Sequence, residues 1–580
     1  MSDDQSTVPA RSPWPVLAGL AGAVLVAGGI ALALYSQFAA APIPVPSDDY
    51  AETGDFPRRL VLGALVFAGA VVLLGLVVLV RRRRGDERAA DFTAGGVLAL
   101  LAVLIGGVVF AVTAHIPSTY ERLTSVFVVT PRVPAAIAGL VLVLLGAVLI
   151  FVLVATPTAP VPGRSALAVA LVVGIVPVLG AAGVALRLGD DSSSIDHVTT
   201  DPGSDTAAPA ALGPEKFRFR LPFSRFPEDT RIVFTGTGFV VSTRDGVTSY
   251  DGVTGAERWH YRRLGVRSDN VGNLPQKTMA VRGENVVLTY WEKRGWMAFD
   301  SVTGDKLWTE TAFTRDSDFT VRGHLLATTT ARGTVTRYDA RTGRSQWTTP
   351  AETAGCTATS QRVVATVTAI YRAATCGTGD TATVAVTVFD PQSGEVRDKR
   401  SFPTPYVRSS GSPQVRVLDS GFVWITCVQD GADTELFLPP NAALTSTIVD
   451  SSRTDVEVRA ADNDALISSR HPDGYPLPDR WEVLSAADGA GSTELDMSLL
   501  DRGARYPAAA ALLADQVIML TSDDSYTLRT WDRQTGRAGS VVPISVAPET
   551  RSVRLTTAAG SLLLIASDNE NRDIEVIGFG

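Results

Sequence analysis

Five apolar runs occupy the first third of the chain, and each has about the 20 residues that an α-helix needs to cross a bilayer. Their interiors contain no Asp, Glu, Lys or Arg. They cover Trp14–Phe38, Leu60–Val80, Thr93–Ala114, Val133–Thr156 and Ser165–Leu186. The sequence therefore predicts a five-helix transmembrane domain over residues 14–188, preceded by a cytoplasmic N-terminus, residues 1–13. Since ion and proton pathways usually need charged groups inside the membrane, a transporter or pump is disfavoured.

The distribution of positive charge predicts the orientation of these helices. The densest basic cluster, Arg81–Arg84, lies between the second and third runs, and the positive-inside rule places it in the cytoplasm. An odd number of crossings then delivers everything after Arg187 to the outside. An alternative is that the first run is a signal peptide cleaved after Ala39–Ala41, which would leave four helices. The first run is longer than an ordinary signal core, so we favour a retained helix.

Residues 189–215 differ from both flanking regions in composition. They are polar and acidic, rich in Ser, Pro and Ala, and show neither helical nor strand periodicity. We therefore expect a flexible extracytoplasmic linker that tethers residues 216–580 to the membrane.

A short motif recurs through residues 216–580: a strand ending in an aromatic residue and Asp, then two residues, Thr and Gly, and a Trp four residues after the Gly. Three copies are clear, at Ser249–Trp259, Ala298–Trp308 and Arg337–Trp347. Their key residues are Asp251, Gly255 and Trp259; Asp300, Gly304 and Trp308; and Asp339, Gly343 and Trp347. Weaker copies without the Trp lie at Val388–Val396, Val483–Gly491 and Thr530–Ala538.

The spacing of apolar strands predicts the architecture. Inner strands can be placed around Val240, Val287, Leu326, Val364, Val423, Leu466, Ile518 and Leu563. Their mean separation is roughly the size of one four-stranded propeller blade. We therefore predict an all-β, eight-bladed β-propeller over residues 216–580. The alternating stretch Phe217–Phe223 is expected to join the last blade and close the ring.

The motif residues have structural roles in such a blade. The Asp can accept bonds from backbone amides of the turn, and the Gly supplies a positive φ there. The Trp can bury its ring between neighbouring blades. These residues therefore predict the architecture of a blade and do not indicate a catalytic role.

The repeat resembles the pyrroloquinoline-quinone (PQQ) type of propeller repeat over about the last 360 residues. That repeat occurs in quinoprotein dehydrogenases and in non-enzymatic propellers such as the lipoprotein of the outer-membrane assembly machinery. Five helices before an eight-bladed propeller is also the layout of membrane-bound glucose dehydrogenases, which use pyrroloquinoline quinone with calcium. The adjacent Cys-Cys pair of soluble quinoprotein alcohol dehydrogenases has no counterpart here, and most units are too short to carry long inserted loops.

Other candidate chemistry in the sequence is sparse. Calcium or a general base could come from Asp430, Asp433, Asp462 or Asp464, but no calcium-loop motif accompanies them. The five His are scattered, and hydrolase, metalloprotease and phosphate-loop motifs are absent from the sequence. A net charge of -8 argues against nucleic acid as a partner.

The three Cys lie in the predicted propeller. Cys356 and Cys376 would fall at the same end of one blade, and we predict a disulfide between them. Cys427, inside an apolar run, is expected to be a buried free thiol.

These features favour a non-catalytic binding or scaffold protein of a bacterial plasma membrane, with no cofactor and no metal. Its partners would be the lipid bilayer and an extracytoplasmic protein or cell-wall polymer. One alternative is a PQQ-dependent membrane-bound sugar or alcohol dehydrogenase. A third possibility is a sensor whose propeller binds a small ligand.

Overall fold

A computed structural model describes the chain in two compact units, the first ending at Ile195 and the second beginning at Asp196. The described residues are 14–41, 50–83, 89–126, 128–155, 163–222, 232–243, 245–264, 275–291, 294–310, 318–320, 325–329, 334–350, 362–366, 368–376, 383–403, 414–417, 423–429, 432–438, 456–462, 465–470, 480–485, 492–499, 508–522, 525–546, 550–568 and 573–580.

The first unit is helical. Its helices are α1 (Trp14–Phe38), α2 (Tyr50–Arg83), α3 (Ala89–Thr113), α4 (Ile116–Val126), α5 (Arg132–Ala155) and α6 (Arg164–Leu188). Within the described residues, 5 segments are long and apolar enough to cross a membrane, as the sequence predicts. Helix α4 is amphipathic. His115, with a left-handed φ of 47°, separates it from α3.

Close contact between α1 and α5 organises the core of this unit. A Cβ on Gly22 would lie 2.7 Å from the carbonyl oxygen of Gly146, and one on Gly29 would lie 2.6 Å from that of Gly139. Larger residues would force the two backbones apart, so these glycines let the helices pack closely. The pairing order makes α1 antiparallel to α5, as expected for two helices separated by an even number of crossings.

The second unit consists of β-sheets in which consecutive strands pair antiparallel. Its first two strands in chain order are β1 (Ile195–Val198) and β2 (Glu215–Pro222). Sheet 1 comprises β1 with β3 (Ile232–Thr235), β4 (Gly238–Ser242), β5 (Gly246–Asp251) and β6 (Glu257–Arg263). Sheet 2 comprises β7 (Pro275–Val281), β8 (Val286–Trp291), β9 (Gly295–Asp300) and β10 (Lys306–Glu310). Sheet 3 comprises β11 (Asp318–Thr320), β12 (Leu325–Thr329), β13 (Thr334–Tyr338) and β14 (Ser345–Pro350).

The remaining sheets follow in chain order. Sheet 4 comprises β15 (Arg362–Ala365), β16 (Ile370–Cys376), β17 (Thr383–Phe389) and β18 (Val396–Pro403). Sheet 5 comprises β19 (Gln414–Val417), β20 (Val423–Gln429) and β21 (Ala432–Leu438). Sheet 6 comprises β22 (Val456–Ala461), β23 (Ala465–Arg470), β24 (Arg480–Ser485) and β25 (Ser492–Glu494). Sheet 7 comprises β26 (Ala509–Leu512), β27 (Gln516–Ser522), β28 (Tyr526–Asp532) and β29 (Ala538–Ile544). Sheet 8 comprises β2 with β30 (Thr550–Ala558), β31 (Ser561–Asp568) and β32 (Asp573–Phe579).

The predicted pairing between the first stretch of the propeller and its last sheet is confirmed. Strand β2 pairs antiparallel with β32, with Phe219 opposite Val576 and Leu221 opposite Ile574. The outer strand of sheet 8 therefore comes from the start of the propeller and its other three strands from the end. Apolar helices followed by a β-propeller are thus established, while closure into a ring of eight blades stays a prediction.

The placement of the inner strands was wrong for seven of the eight anchor residues. The strands that lie beside one another between neighbouring sheets, such as β3 with β7 and β26 with β30, are the first strands of the repeats. We call β3, β7, β11, β15, β19, β22, β26 and β30 the inner strands. Apart from Val364 on β15, the anchors lie on the second strand of each sheet. A second strand is covered on both faces and both edges, so it has the most continuous apolar run: all of β4 and β8 is buried.

The expectation of a flexible linker is also corrected for its later part. We call residues 195–214 the strap. Within the strap, the amide of Thr206 donates to the carbonyl of Gly236 (3.1 Å). The strap carbonyls of Ala207 and Ala210 accept from the amides of Gly560 (3.0 Å) and Asp515 (2.9 Å), respectively. These bonds join main chain to turns of sheets 1, 8 and 7. Hydrogen bonds between main-chain groups require no apolar side-chain pattern. The polar composition of this segment therefore gave no sign that it is ordered.

Candidate interaction surface

The motif turns carry the aspartates that the sequence singled out. Asp251 Oδ1 accepts from the amides of Val253 (3.0 Å) and Thr254 (2.9 Å), and from the Thr254 hydroxyl (2.9 Å). Burial raises the pKa of Asp251, but these bonds outweigh it and leave the pKa below its ordinary value. Gly255 follows with a φ of 70°, which only glycine adopts readily. The carboxylate is therefore occupied in holding its own turn.

The other clear copies have the same geometry. Asp300 Oδ1 accepts from the amides of Val302 (2.9 Å) and Thr303 (3.1 Å), and Asp339 Oδ1 accepts from that of Thr342 (2.8 Å). Gly304 and Gly343 have φ values of 81° and 69°. These carboxylates too are engaged within their turns.

The motif tryptophans connect neighbouring sheets. Each indole N–H donates to the carbonyl of the residue after the motif Asp of the next sheet. The bonds run from Trp259 to Ser301 (3.0 Å), from Trp308 to Ala340 (2.8 Å) and from Trp347 to Pro391 (3.1 Å). The rings also cover the motif glycines: a Cβ on Gly304, Gly343 or Gly394 would lie 2.6, 3.1 or 2.8 Å from the ring of the preceding Trp. The sequence did not reveal these bonds, because nothing local marks the accepting carbonyl.

An ion pair reinforces one of these seams. The second carboxylate oxygen of Asp300 lies 2.7 Å from the guanidinium of Arg341, which belongs to the turn of the next sheet. The pKa of Asp300 is raised by burial, but the bond from Arg341 and the turn amides outweigh this and leave it below its ordinary value. Asp300 therefore stabilises its own turn and also binds Arg341 in the turn of the next sheet.

Strap side chains also contact the motif region. The Nε2 of His197 lies 2.8 Å from the carbonyl oxygen of Gly304, to which it must donate because that oxygen only accepts. His260, on β6, has Nε2 3.1 Å from Asp196 and Nδ1 against Glu257. Two of the scattered histidines thus hold strap contacts.

Of the four acids considered for calcium or base chemistry, the two that the structure describes belong to different sheets. Asp462 Oδ1 accepts from the Ala465 amide (2.9 Å) and from the Arg533 guanidinium (2.8 Å). Asp433 lies on β21, while Asp430 and Asp464 lie outside the described residues. In the described part of the chain, no group of three or more His, Cys, Asp or Glu could hold a metal ion.

The cysteines can be placed only in part. Cys376 ends β16 and is disulfide-bonded. Cys356 lies outside the described residues, so its pairing with Cys376 stays a prediction. Cys427 lies on β20, and whether its thiol is buried and free also stays a prediction.

Comparison with known proteins supports the repeat assignment. Residues 243–425 match the family model PQQ_2, described as outer membrane protein assembly factor BamB, and this range includes all three clear motif copies. No curated protein matches the sequence.

Several solved propellers resemble the second unit. BamB from Moraxella catarrhalis is 12% identical, with a TM-score of 0.37, over 63% of this chain and 100% of its own. The Dos1 propeller is 9% identical, with a TM-score of 0.35, over 62% of this chain and 95% of its own. Hsv2 from Kluyveromyces lactis is 9% identical, with a TM-score of 0.29, over 51% of this chain and 89% of its own. The chain thus combines apolar helices at its N-terminal end with a β-propeller, in which residues 243–425 match a PQQ-like repeat model.

Proposed function

We propose that the protein is a plasma-membrane-anchored, non-catalytic binding or scaffold protein of a bacterial cell envelope, with its propeller outside the membrane. The observation that carries the proposal is the use made of the repeat's polar residues. The motif carboxylates, indole N–H groups and glycines form turns and inter-sheet seams, so the repeat maintains a ring that can present loops to a partner.

The ring in this proposal has eight blades. The described strands support it by forming eight sheets, six of them four-stranded, one five-stranded and one three-stranded. The pairing of β2 with β32 also supports it, because it joins the start of the propeller to its last sheet. A cryo-electron microscopy map of the purified chain should show eight radial blades; six or seven would refute the count.

In the proposed orientation, α1 begins in the cytoplasm and Arg81–Arg84 lie on the same side of the membrane. Alkaline phosphatase fused after Gly580 should be active, because it folds only outside the cytoplasm, and a fusion after Arg84 should be inactive. A green fluorescent protein series at the same two positions provides the reciprocal control. The opposite pattern would place the propeller in the cytoplasm and remove the envelope role.

The non-catalytic part of the proposal has a direct test against its rival. Purified protein is mixed with pyrroloquinoline quinone and calcium, and dye reduction is followed with a panel of sugars and alcohols. We expect no turnover. Stoichiometric cofactor binding with turnover would make the protein a quinoprotein dehydrogenase. Site-specific photo-crosslinking from propeller loops in intact membranes should instead capture a protein or wall-polymer partner.

A further inference from the structure

The inner strands are basic although the whole chain is acidic. Their acidic residues are Asp318 and Glu457. Their basic residues are Lys277, Arg362, Arg416, Arg459, Arg551 and Arg554. The formal charge of the chain is -8. Positive charge is therefore concentrated on the strands nearest the centre of the propeller.

These strands surround the centre of the propeller. Neighbouring inner strands contact one another at β3 with β7, β11 with β15, β15 with β19, β22 with β26, and β26 with β30. Since propeller sheets approach most closely at the axis, the strands in contact border the central channel. A basic channel in an acidic protein attracts anions selectively, because its walls focus the local field.

One part of this wall is resolved in detail. Phe234, on β3, is only 6% exposed. The guanidinium carbons of Arg282, in the turn after β7, and Arg554, on β30, each lie 5.9 Å from its ring centroid. The two cations, from the sheets on either side of sheet 1, are therefore within about 12 Å of each other. Both arginine side chains are exposed, so a ligand can reach them.

The chemistry of this cluster points to an anionic ligand. The aromatic face stabilises both guanidinium groups in place. Each guanidinium presents a planar fork of N–H donors that fits the oxygens of a phosphate or carboxylate. Two such groups at this separation favour an anion that carries several negative groups over one that carries a single group.

We propose that Arg282 and Arg554, held on Phe234, form a binding site in the channel wall for a ligand with closely spaced phosphate or carboxylate groups. The inference rests on the proposed binding function and gives it a ligand chemistry. It does not depend on the membrane topology.

The test measures binding of sodium tripolyphosphate and of citrate to the purified full-length chain by titration calorimetry at low ionic strength. The R282Q/R554Q variant should bind the preferred anion about tenfold more weakly, since it loses two charge-assisted contacts. The matched control, R344Q/R537Q, removes the same charge from exposed turn residues outside the channel wall and should change affinity less than about twofold. Wild-type affinity should also fall steeply as salt is added.

The outcomes separate the site from the broader function. If both double variants weaken anion binding equally, binding depends on net charge and the proposed site is wrong. The site is also wrong if the wild-type protein binds neither anion. Near-UV circular dichroism verifies the fold of each variant, and R554Q alone supplies the comparison if the double variant is unstable. Failure to capture a partner in membranes would count against the proposed scaffold role without affecting this calorimetric result.

Discussion

Substituting the motif glycines by alanine should reveal how much of each seam depends on aromatic packing. Gly304, Gly343 and Gly536 occupy the same turn position and have similar φ values of 81°, 69° and 68°. Alanine at any of them costs about 1–2 kcal/mol because the left-handed conformation crowds its Cβ. Backbone conformation alone therefore predicts the same loss of stability at all three positions. Any difference between the three losses reflects the space around the new methyl group.

That space differs among the three sites. At Gly304 the Cβ would lie 2.6 Å from Cγ of Trp259, a fully buried ring, so overpacking should add about 1–3 kcal/mol. At Gly343 the closest atom of Trp308 is 3.1 Å away, which a small shift of a partly exposed ring can relieve. At Gly536 the closest atom is the carbonyl oxygen of Glu494, at 1.9 Å, and a backbone atom cannot rotate away.

Thermal unfolding of the full-length chain in detergent, followed by near-UV circular dichroism, provides the assay. G343A should lower the stability by about 1–2 kcal/mol, G304A by about 2–5 kcal/mol, and G536A by at least as much as G304A. At about 2 °C per kcal/mol for a large domain, G304A should melt roughly 2–6 °C below G343A. Equal melting temperatures for the three variants would refute the argument from seam packing.

Three further predictions concern other parts of the chain. In the helical unit, G29V would place a Cβ 2.6 Å from the Gly139 carbonyl and should lower the temperature at which the protein aggregates in detergent extracts, whereas G75V, whose Cβ meets no described atom within 4 Å, should not. Backbone amides of its own turn lower the pKa of Asp390 to about 2, from about 3.9 in an unfolded chain. Its contribution to stability is therefore present above pH 4 and lost as the pH falls towards 2, and urea titrations of D390N should show a weaker dependence on pH in that interval. Non-reducing peptide mapping should recover Cys376 linked to Cys356; linkage to Cys427, or three free thiols, would contradict the predicted pair.

The parts of the fold that could be predicted are those with local signals. The long apolar helices follow from uninterrupted apolar runs, and the turns follow from an Asp and a Gly at fixed spacing, because a positive φ and an Asx-type bond are properties of a few adjacent residues. The pairing of β2 with β32 was predictable because an alternating strand at the start matched a last unit without a motif.

The parts that were missed depend on contacts between distant residues. The strap is held through main-chain groups, which every sequence possesses, so its composition gave no indication of order. The inner strands were misplaced because apolar content identifies the most covered strand, whereas the strand at the channel is partly exposed and carries charge. The same charge, Arg554 included, was therefore not recognised as part of a candidate site.

The seams explain why the repeat tolerates so much variation in its sequence. Between sheets 8 and 1, Phe217 of β2 takes the place of the motif Trp: a Cβ on Gly255 would lie 2.5 Å from its ring, yet a phenyl group has no N–H to donate. Between sheets 6 and 7 the group that packs on the glycine is not an aromatic ring, although the indole N–H of Trp531, on β28, donates to the carbonyl of Asp496 at 2.8 Å. There the backbone of Glu494 lies against Gly536, and the Asp496 amide donates to the Gly536 carbonyl at 2.8 Å. The common element at these seams is a flat group packed on a glycine of positive φ, whether that group is an indole, a phenyl ring or a peptide. Within this chain the glycine of positive φ recurs at these seams while the flat group changes, so turn geometry marks the repeat more consistently than the Trp does.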